Sequence, residues 1–124
     1  MIGSRGRHES IVDDLAERVR LWYPNTKVIA HFVYPIGEMD IMQYMINEGT
    51  FTFNNYEIKS NDTLRGRQKA KEQLERFKNY LEKIFKREDK RIFSHYVYGV
   101  GRDSYALVDL GSYEGLELKI GGYK

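Results

Sequence analysis

The sequence contains no cysteine and no long apolar run. The absence of cysteine excludes disulfide bonds, thiolate metal sites and cysteine nucleophiles, and it fits a reducing compartment. A membrane-spanning helix needs about 20 consecutive apolar residues, and no segment approaches that length. The polar, basic N-terminus is not followed by the apolar region of a signal peptide. These absences favour a cytoplasmic protein with no membrane partner.

Histidine is also scarce, and length limits the architecture. Only three histidines are present, with none of the spacings of a zinc site or a serine–histidine–aspartate triad. The chain has 124 residues, of which 41% are hydrophobic and 14% aromatic, which is enough to bury one core. We therefore predict one domain over residues 1–124.

The apolar spacing predicts two amphipathic helices. The first spans residues 8–22 and ends before Pro24, and the second spans about 64–87 after possible capping side chains at 60–63. The second helix has an apolar stripe at three- and four-residue steps, formed by Ala70, Leu74, Phe77, Leu81, Ile84 and Phe85. Gln73 borders this stripe and can face the sheet, whereas Gln68 falls on the wetter side.

Segments rich in aromatic and β-branched residues predict strands between and after these helices. They are residues 27–34, 38–46, 51–59, 91–100 and 104–110. The first is almost wholly apolar, which predicts a central strand buried on both faces and makes His31 a hydrogen-bonded core residue. Residues 116–120 fit an edge strand, a dimer contact or a loose tail.

A carboxylate and an ammonium group stand two residues apart where the third strand ends. These are Glu57 and Lys59 in the segment Tyr56-Glu57-Ile58-Lys59-Ser60. Alternate side chains of a strand point to the same face, so the two charged groups share one face while Tyr56 and Ile58 pack behind them. An acidic metal ligand beside a fixed positive charge suits phosphate chemistry, although most such triplets are solvated strand faces.

The length of the turn between the second and third strands determines whether Asp40 lies beside Glu57. If the hairpin between the second and third strands has a loop of two or four residues around Glu48-Gly49, Asp40 lies opposite Glu57. Opposed residues have Cβ atoms about 4.5–5.5 Å apart, where two carboxylates repel each other unless a cation lies between them. A three-residue loop would instead put the carboxylates on opposite faces unless a β-bulge restored the register.

Positive charge is concentrated in the second helix and the segment after it. Between Arg65 and Arg91 there are eleven basic and five acidic residues, which favours a polyanionic partner along this element. Arg65 and Arg67 directly follow the third strand, where arginine side chains can hold backbone phosphates, and Lys69 extends the same basic run. A solvated helix with Lys–Glu pairs would produce a similar pattern.

Glu9 falls near the start of the first helix, next to His8. An acidic side chain in the first turn is ordinarily explained by the helix dipole. The functional alternative is that Glu9 faces the sheet and is a further metal ligand, which becomes attractive if the carboxylate pair forms.

In order and spacing, these residues resemble the PD-(D/E)xK nuclease superfamily, and in particular the small archaeal and viral Holliday-junction-resolvase-like and helicase-associated nuclease domains. The resemblance covers roughly residues 6–81 and ends with the helix that bears Gln73. Met39 stands where the family pattern has proline. Asp40 rather than Glu38 is the expected ligand, because the hairpin register places it across from Glu57.

The resemblance implies an α/β fold with a restriction-endonuclease-like core, in which a central mixed sheet is flanked by helices. It implies that Asp40, Glu57 and the Ile58 carbonyl hold Mg²⁺ or Mn²⁺, with Glu9 completing the shell. It also implies that Lys59 orients the attacking water and that Gln73 positions the nucleophile or a neighbouring phosphate.

The reaction that follows is hydrolysis of DNA phosphodiester bonds. A domain of this size has little room for a sequence-reading module, so we expect structure-selective cleavage of a junction or flap, and the family suggests a homodimer. The alternatives are an inactive nucleic-acid-binding domain and a partner-binding α/β domain.

Overall fold

Six strands form one mixed sheet in the computed structural model, which describes residues 4–110 and 115–122. The sheet order follows the chain, and only β3 and β4 are parallel neighbours. The expected α/β class, with a central mixed sheet flanked by helices, is confirmed. The elements are α1 (Ser4–Trp22), β1 (Lys27–Tyr34), β2 (Gly37–Asn47), β3 (Thr50–Lys59), α2 (Leu64–Ile84), β4 (Asp89–Val100), β5 (Ser104–Asp109) and β6 (Gly115–Lys119).

The two helices cover opposite faces of the sheet. Ile58 of β3 packs in the apolar cluster of α1, whereas Phe53 of the same strand packs in the cluster of α2. These two positions differ by an odd number of residues, so their side chains point to opposite faces. The α2 helix also provides the crossover that the parallel β3–β4 pair requires.

Helix α1 begins earlier than predicted, at Ser4 instead of residue 8, and ends at Trp22 as predicted. Glu9 therefore lies in the second turn, and the first turn contains no acidic residue. The helix-dipole explanation for Glu9 is wrong for this reason, because the dipole acts within the first turn.

Helix α2 begins as predicted and ends three residues early, at Ile84. The Gly66 amide donates to Thr63 Oγ1 at 2.9 Å, which satisfies one of the unpaired amides of the first turn. The predicted stripe is buried from Ala70 to Leu81, but Ile84 is 54% exposed. The chain leaves the helix at Phe85, whose ring packs against Phe51 and Phe53 instead.

The β2–β3 hairpin has a two-residue loop. Glu48 and Gly49 both have positive φ, at 50° and 81°, which is typical of a type I′ turn. Asn47 pairs with Thr50, and the same register continues to Ile41 and Tyr56. The two-residue alternative is confirmed and the three-residue alternative is wrong.

Strand β1 is an edge strand, so its predicted central position is wrong. Its apolar residues are explained by the two helices, because Val28 and Ala30 pack toward α1 while Ile29 and Phe32 pack toward α2. Partial burial on both faces therefore does not require a neighbouring strand on both sides. The opposite edge is β6, which confirms the edge-strand alternative for the C-terminal segment. Among the described residues, neither helix is long and apolar enough to cross a membrane.

A buried polar cluster fastens the β5–β6 region to α1. The Asp14 carboxylate accepts hydrogen bonds from Arg18 Nε at 2.8 Å, from the Tyr105 hydroxyl at 2.5 Å and from the Gly121 amide at 2.7 Å. Burial raises the pKa of Asp14, but the hydrogen bonds from Tyr105 and Arg18 outweigh it and lower the pKa below its ordinary value. The ionised carboxylate is thus the form that the fold stabilises.

Replacing Asp14 by asparagine should lower the free energy of unfolding by about 2 kcal/mol at pH 7, because Arg18 and Tyr105 lose a charged acceptor. A lowered folded-state pKa contributes stability above the ordinary carboxyl pKa, and this contribution is lost as the pH falls through the folded value. The difference from wild type should therefore shrink at low pH. Urea denaturation measures it, and exposed Asp13→Asn is the control, with an expected change below about 0.5 kcal/mol. Equal losses in both variants at pH 7 would contradict the role assigned to Asp14.

Candidate functional site

Asp40 and Glu57 meet at the edge of the sheet where β2 begins and β3 ends. Both residues are buried, with 9% and 3% of their surfaces exposed. The Ile58 amide donates to Asp40 Oδ2 at 2.8 Å, just beyond the last β2–β3 pair, Ile41 and Tyr56. Asp40 and Glu57 are close enough that the charge of Asp40 raises the pKa of Glu57. The two carboxylates that the sequence predicts to face each other therefore lie close together, although the β2–β3 pairing ends one position before them.

A break in the strand pattern lies at Asp40. On the neighbouring strand His31 has a positive φ of 54°, which is uncommon for a residue other than glycine. Ala30 and Ile41 pack toward α1, whereas Phe32 and Met39 pack toward α2, although residues two apart normally share a face. Both strands thus rotate at the same level. Backbone strain of this kind is concentrated at functional sites.

Because of this break, the side chains of Glu38, Met39 and Asp40 lie in three different surroundings. Met39 is fully buried in the cluster beneath α2, so it acts as a core residue where the family pattern has proline. Glu38 is exposed, and its Oε1 lies 3.3 Å from His31 Nδ1. Asp40 is therefore the acidic residue of this segment that reaches Glu57.

The Glu57 carboxyl group is strongly perturbed. Burial and the charge of Asp40 raise its pKa to about 8, against a lowering by Lys59. Its Oε1 is buried and has no hydrogen-bond partner among the described residues. A buried polar atom without a partner is uncommon in folded proteins. A cation bound to both carboxylates would satisfy this oxygen and remove their repulsion.

Lys59 lies on the same face as Glu57 and joins β3 to α2. Its Nζ lies 3.6 Å from Glu57 Oε2 and donates to Gln73 Oε1 at 3.0 Å. The prediction that Gln73 faces the sheet is confirmed. Gln68 is exposed and donates to Glu72 instead, as its position on the wetter side predicts. The ammonium group is thus held between a carboxylate and an amide.

A cleft of about 340 Å³ opens in front of this lysine. It is lined by Lys59, Lys69, Glu72, Gln73 and Arg76. Three of these five side chains are basic, so the cleft favours an anionic group. The predicted nucleic-acid residue Lys69 therefore lies at the entrance to the site.

The two predicted arginines are placed differently from each other. Arg65 is exposed on the first turn of α2. Arg67 pairs with Asp62, with Nη2 2.8 Å from Oδ2, and its guanidinium lies over the rings of Tyr96 and Tyr98. Because Asp62 fixes the Arg67 fork, only part of it is available to a phosphate.

Glu9 does not reach the carboxylate pair directly. His8 lies between them, with Nδ1 3.3 Å from Glu9 Oε1 and Nε2 3.3 Å from Asp40 Oδ2. Glu9 Oε2 lies 3.0 Å from His31 Nε2. Glu9 thus orients His8 and His31. The structure does not bring Glu9 beside Asp40 and Glu57, where it was predicted to be a metal ligand.

His8 is the site residue that sequence reasoning missed. The hydrogen bond with Asp40 raises its pKa to about 9, although burial opposes this rise. At neutral pH the ring is therefore an imidazolium that donates to both Asp40 and Glu9. A usable signal was present in the sequence, because His8 is three residues before Ile11 and seven before Leu15, and so lies on the buried stripe of α1.

The donor set fits a hard divalent cation. Mg²⁺ is commonly held by one or two carboxylates together with water, and Asp40 and Glu57 provide two, with the Ile58 backbone next to them. Across residues 4–110 and 115–122, no three His, Cys, Asp or Glu side chains are grouped as a metal site. Any ion here would accordingly take its remaining ligands from water or the backbone.

Comparison with protein-family models, curated proteins and solved structures finds no match to this chain. The similarity to PD-(D/E)xK nucleases therefore stays a prediction from residue order and spacing. Fold and site together define an α/β protein with a buried acidic pair and a lysine at the end of one strand of a mixed sheet.

Proposed function

We propose that this protein is a metal-dependent phosphodiester hydrolase. The observation that carries the proposal is the buried pair Asp40 and Glu57, which has an unpartnered oxygen and lies beside the Lys59 ammonium group. Two carboxylates are buried next to each other only at a cost in folding free energy. Binding of Mg²⁺ or Mn²⁺ between the two carboxylates offsets that cost and explains why the pair is buried.

Each side chain has a distinct part in the proposed reaction. A bound divalent ion supplies Lewis-acid polarisation of the scissile phosphate. Lys59 orients the attacking water and stabilises the negative charge that develops on the phosphate oxygens. Gln73 fixes the Lys59 ammonium group by accepting its hydrogen bond. His8 donates to Asp40 and keeps that carboxylate turned toward Glu57.

Within this class, we propose a DNA endonuclease that selects the structure of its substrate. Support comes from the basic cleft in front of Lys59, where Lys69 and Arg76 can contact phosphates on either side of the scissile bond. The eleven basic residues between Arg65 and Arg91 continue this positive charge along α2 and beyond it. Junctions and flaps are the expected substrates.

The first test is metal binding. At a Mg²⁺ or Mn²⁺ concentration tenfold above Kd, the melting temperature of the wild-type protein should rise by about 5 °C relative to EDTA. The Asp40→Asn variant should show no such rise, because one of the two carboxylates is lost. Asp13→Asn, on the exposed side of α1, is the matched control and should behave as wild type.

Cleavage is then measured on labelled blunt duplex, single-strand, flap and four-way-junction DNA, with either metal and with EDTA. Metal-dependent product from at least one of these substrates supports the proposal. If Mn²⁺ leaves the melting temperature unchanged and every substrate stays intact, the protein is a binding domain and not a nuclease.

A further inference from the structure

Two tyrosines of β4 lie directly beside the proposed catalytic residues. In the parallel β3–β4 register, Glu57 pairs with Tyr96 and Lys59 pairs with Tyr98. Neighbouring strands are about 4.8 Å apart, and paired residues point to the same face. Both rings therefore lie on the face that carries the carboxylate pair and the lysine.

These rings and an arginine form one fixed cluster. The Tyr96 and Tyr98 ring centroids are 5.3 Å apart, and the Arg67 guanidinium carbon lies 5.3 and 5.9 Å from them. Asp62 holds the cluster, because it accepts hydrogen bonds from the Tyr96 hydroxyl at 3.0 Å and from Arg67. The planar groups are thus positioned before any ligand arrives.

The cluster presents part of its surface to solvent. Tyr96 is buried at 2% exposure and acts as its base, whereas Tyr98 is partly exposed and the Arg67 side chain is 49% exposed. Helix α2 packs against β2, β3 and β4, and the sheet continues past β4 into β5 and β6. Tyr98 therefore stands beside the catalytic residues, on the side of the sheet that leads away from the centre of α2.

We propose that Tyr98 and Arg67 form a stacking subsite for an unpaired nucleobase of DNA next to the scissile phosphate. Aromatic rings bind bases of any sequence through their π faces, and arginine adds a cation–π contribution. A base inside a duplex already stacks on its neighbours, so only an unpaired base can use the subsite without paying for unstacking. The inference rests on the proposed function and deepens it, because it assigns a single-stranded segment to the substrate.

Binding is measured by fluorescence anisotropy in EDTA, with a labelled single-stranded DNA oligonucleotide and a blunt duplex of the same sequence. Tyr98→Leu should bind the single strand about tenfold more weakly and the duplex within about twofold of wild type. Tyr98→Phe, which keeps the ring, should retain most of the single-strand affinity. Phe93→Leu is the matched control, because Phe93 is a 47% exposed aromatic residue of the same strand on the opposite face, and it should change neither affinity.

An abasic scan locates the base. In wild type, one abasic position should lower the affinity for the single strand about tenfold, and in Tyr98→Leu the same position should have no further effect. Arg67→Met should also weaken binding of the single strand more than binding of the duplex. This second variant keeps the test decisive if Tyr98→Leu does not fold. The subsite is refuted if Tyr98→Leu binds the single strand like wild type, or loses equal affinity for single strand and duplex.

These outcomes are separable from those of the nuclease proposal, because the binding assay contains no metal and needs no cleavage. Selective loss of single-strand affinity in a protein that cuts nothing would retain the subsite and reject the nuclease. Metal-dependent cleavage with unchanged single-strand affinity in Tyr98→Leu would do the reverse.

Discussion

Replacing Glu57 by glutamine should abolish metal-dependent DNA cleavage, by about 1,000-fold or more, and should stabilise the folded protein in the absence of metal. The glutamine keeps the shape of the side chain but removes the charge that a divalent ion needs. The same change removes a carboxyl group whose ionisation next to Asp40 is unfavourable in the folded state. Loss of activity with a gain in stability is the behaviour of a residue that is retained for function.

The gain in stability should depend on pH. The pKa of Glu57 is raised to about 8 in the folded protein from an ordinary value of 4.5. When the folded state raises a carboxyl pKa, stability is unaffected at a pH below the ordinary pKa. It then falls progressively as the pH rises through the pKa of the folded state. Glu57→Gln should therefore match wild type near pH 4.5 and exceed it by about 2 kcal/mol or more at pH 8. Urea denaturation in EDTA across this range measures the difference.

Glu48→Gln is the control for this prediction. Glu48 lies in the β2–β3 turn, at the opposite end of the hairpin from Glu57, so its loss should alter neither cleavage nor the pH dependence of stability. Wild-type cleavage by Glu57→Gln would rule out the proposed role of this carboxylate. A stability difference that stays constant from pH 5 to pH 8 would contradict the perturbed pKa.

Replacing Lys59 by methionine should separate metal binding from catalysis. The variant should keep the rise in melting temperature with Mn²⁺, because Asp40 and Glu57 are intact, but should cleave about 100- to 1,000-fold more slowly. Removal of one pre-positioned group that stabilises transition-state charge has effects of this size. Methionine keeps the length and apolar stem of the side chain, so the Gln73 contact is the main packing change.

Single-turnover cleavage at saturating metal, together with thermal unfolding, measures both effects. Lys86→Met, an exposed lysine just after α2, tests for a general loss of positive charge and should cleave at the wild-type rate. An equal reduction in both lysine variants would show that Lys59 acts through non-specific attraction of DNA. Loss of metal-induced stabilisation in Lys59→Met would show that the lysine organises the carboxylate pair.

Local patterns in the sequence were sufficient for much of the site. The register of the β2–β3 hairpin follows from a two-residue turn and holds as far as Ile41 and Tyr56. Asp40 and Glu57 are the next residues of the two strands, so the turn brings them to the same end of the hairpin. The spacing of Glu57 and Lys59 places both on one face for the same reason. The helical phase of Gln73 relative to Leu74 turns its amide toward the sheet. Each of these depends on chemistry within one or two adjoining elements.

Contacts between distant elements were not predictable in the same way. The position of His8 between Glu9 and Asp40 depends on how α1 lies across the sheet, and the phase of a helix does not specify that. The cluster of Arg67 with Tyr96 and Tyr98 depends on the register between β3 and β4. A helix of 21 residues separates these two strands in the chain, so no local turn fixes their register. The edge position of β1 escaped prediction because two covering helices produce the same apolar composition as two neighbouring strands.

By itself, the sequence determined the α/β class, the β2–β3 hairpin with its two-residue turn, and the helix that brings Gln73 to Lys59. It could do so because periods of 2 and 3.6 residues, and the chemistry of a two-residue turn, are properties of short stretches of chain. Only the tertiary structure decided that His8 contacts Asp40 and that Tyr98 stands beside Lys59. These contacts join residues that are far apart in the chain, and packing of whole elements against one another fixes them.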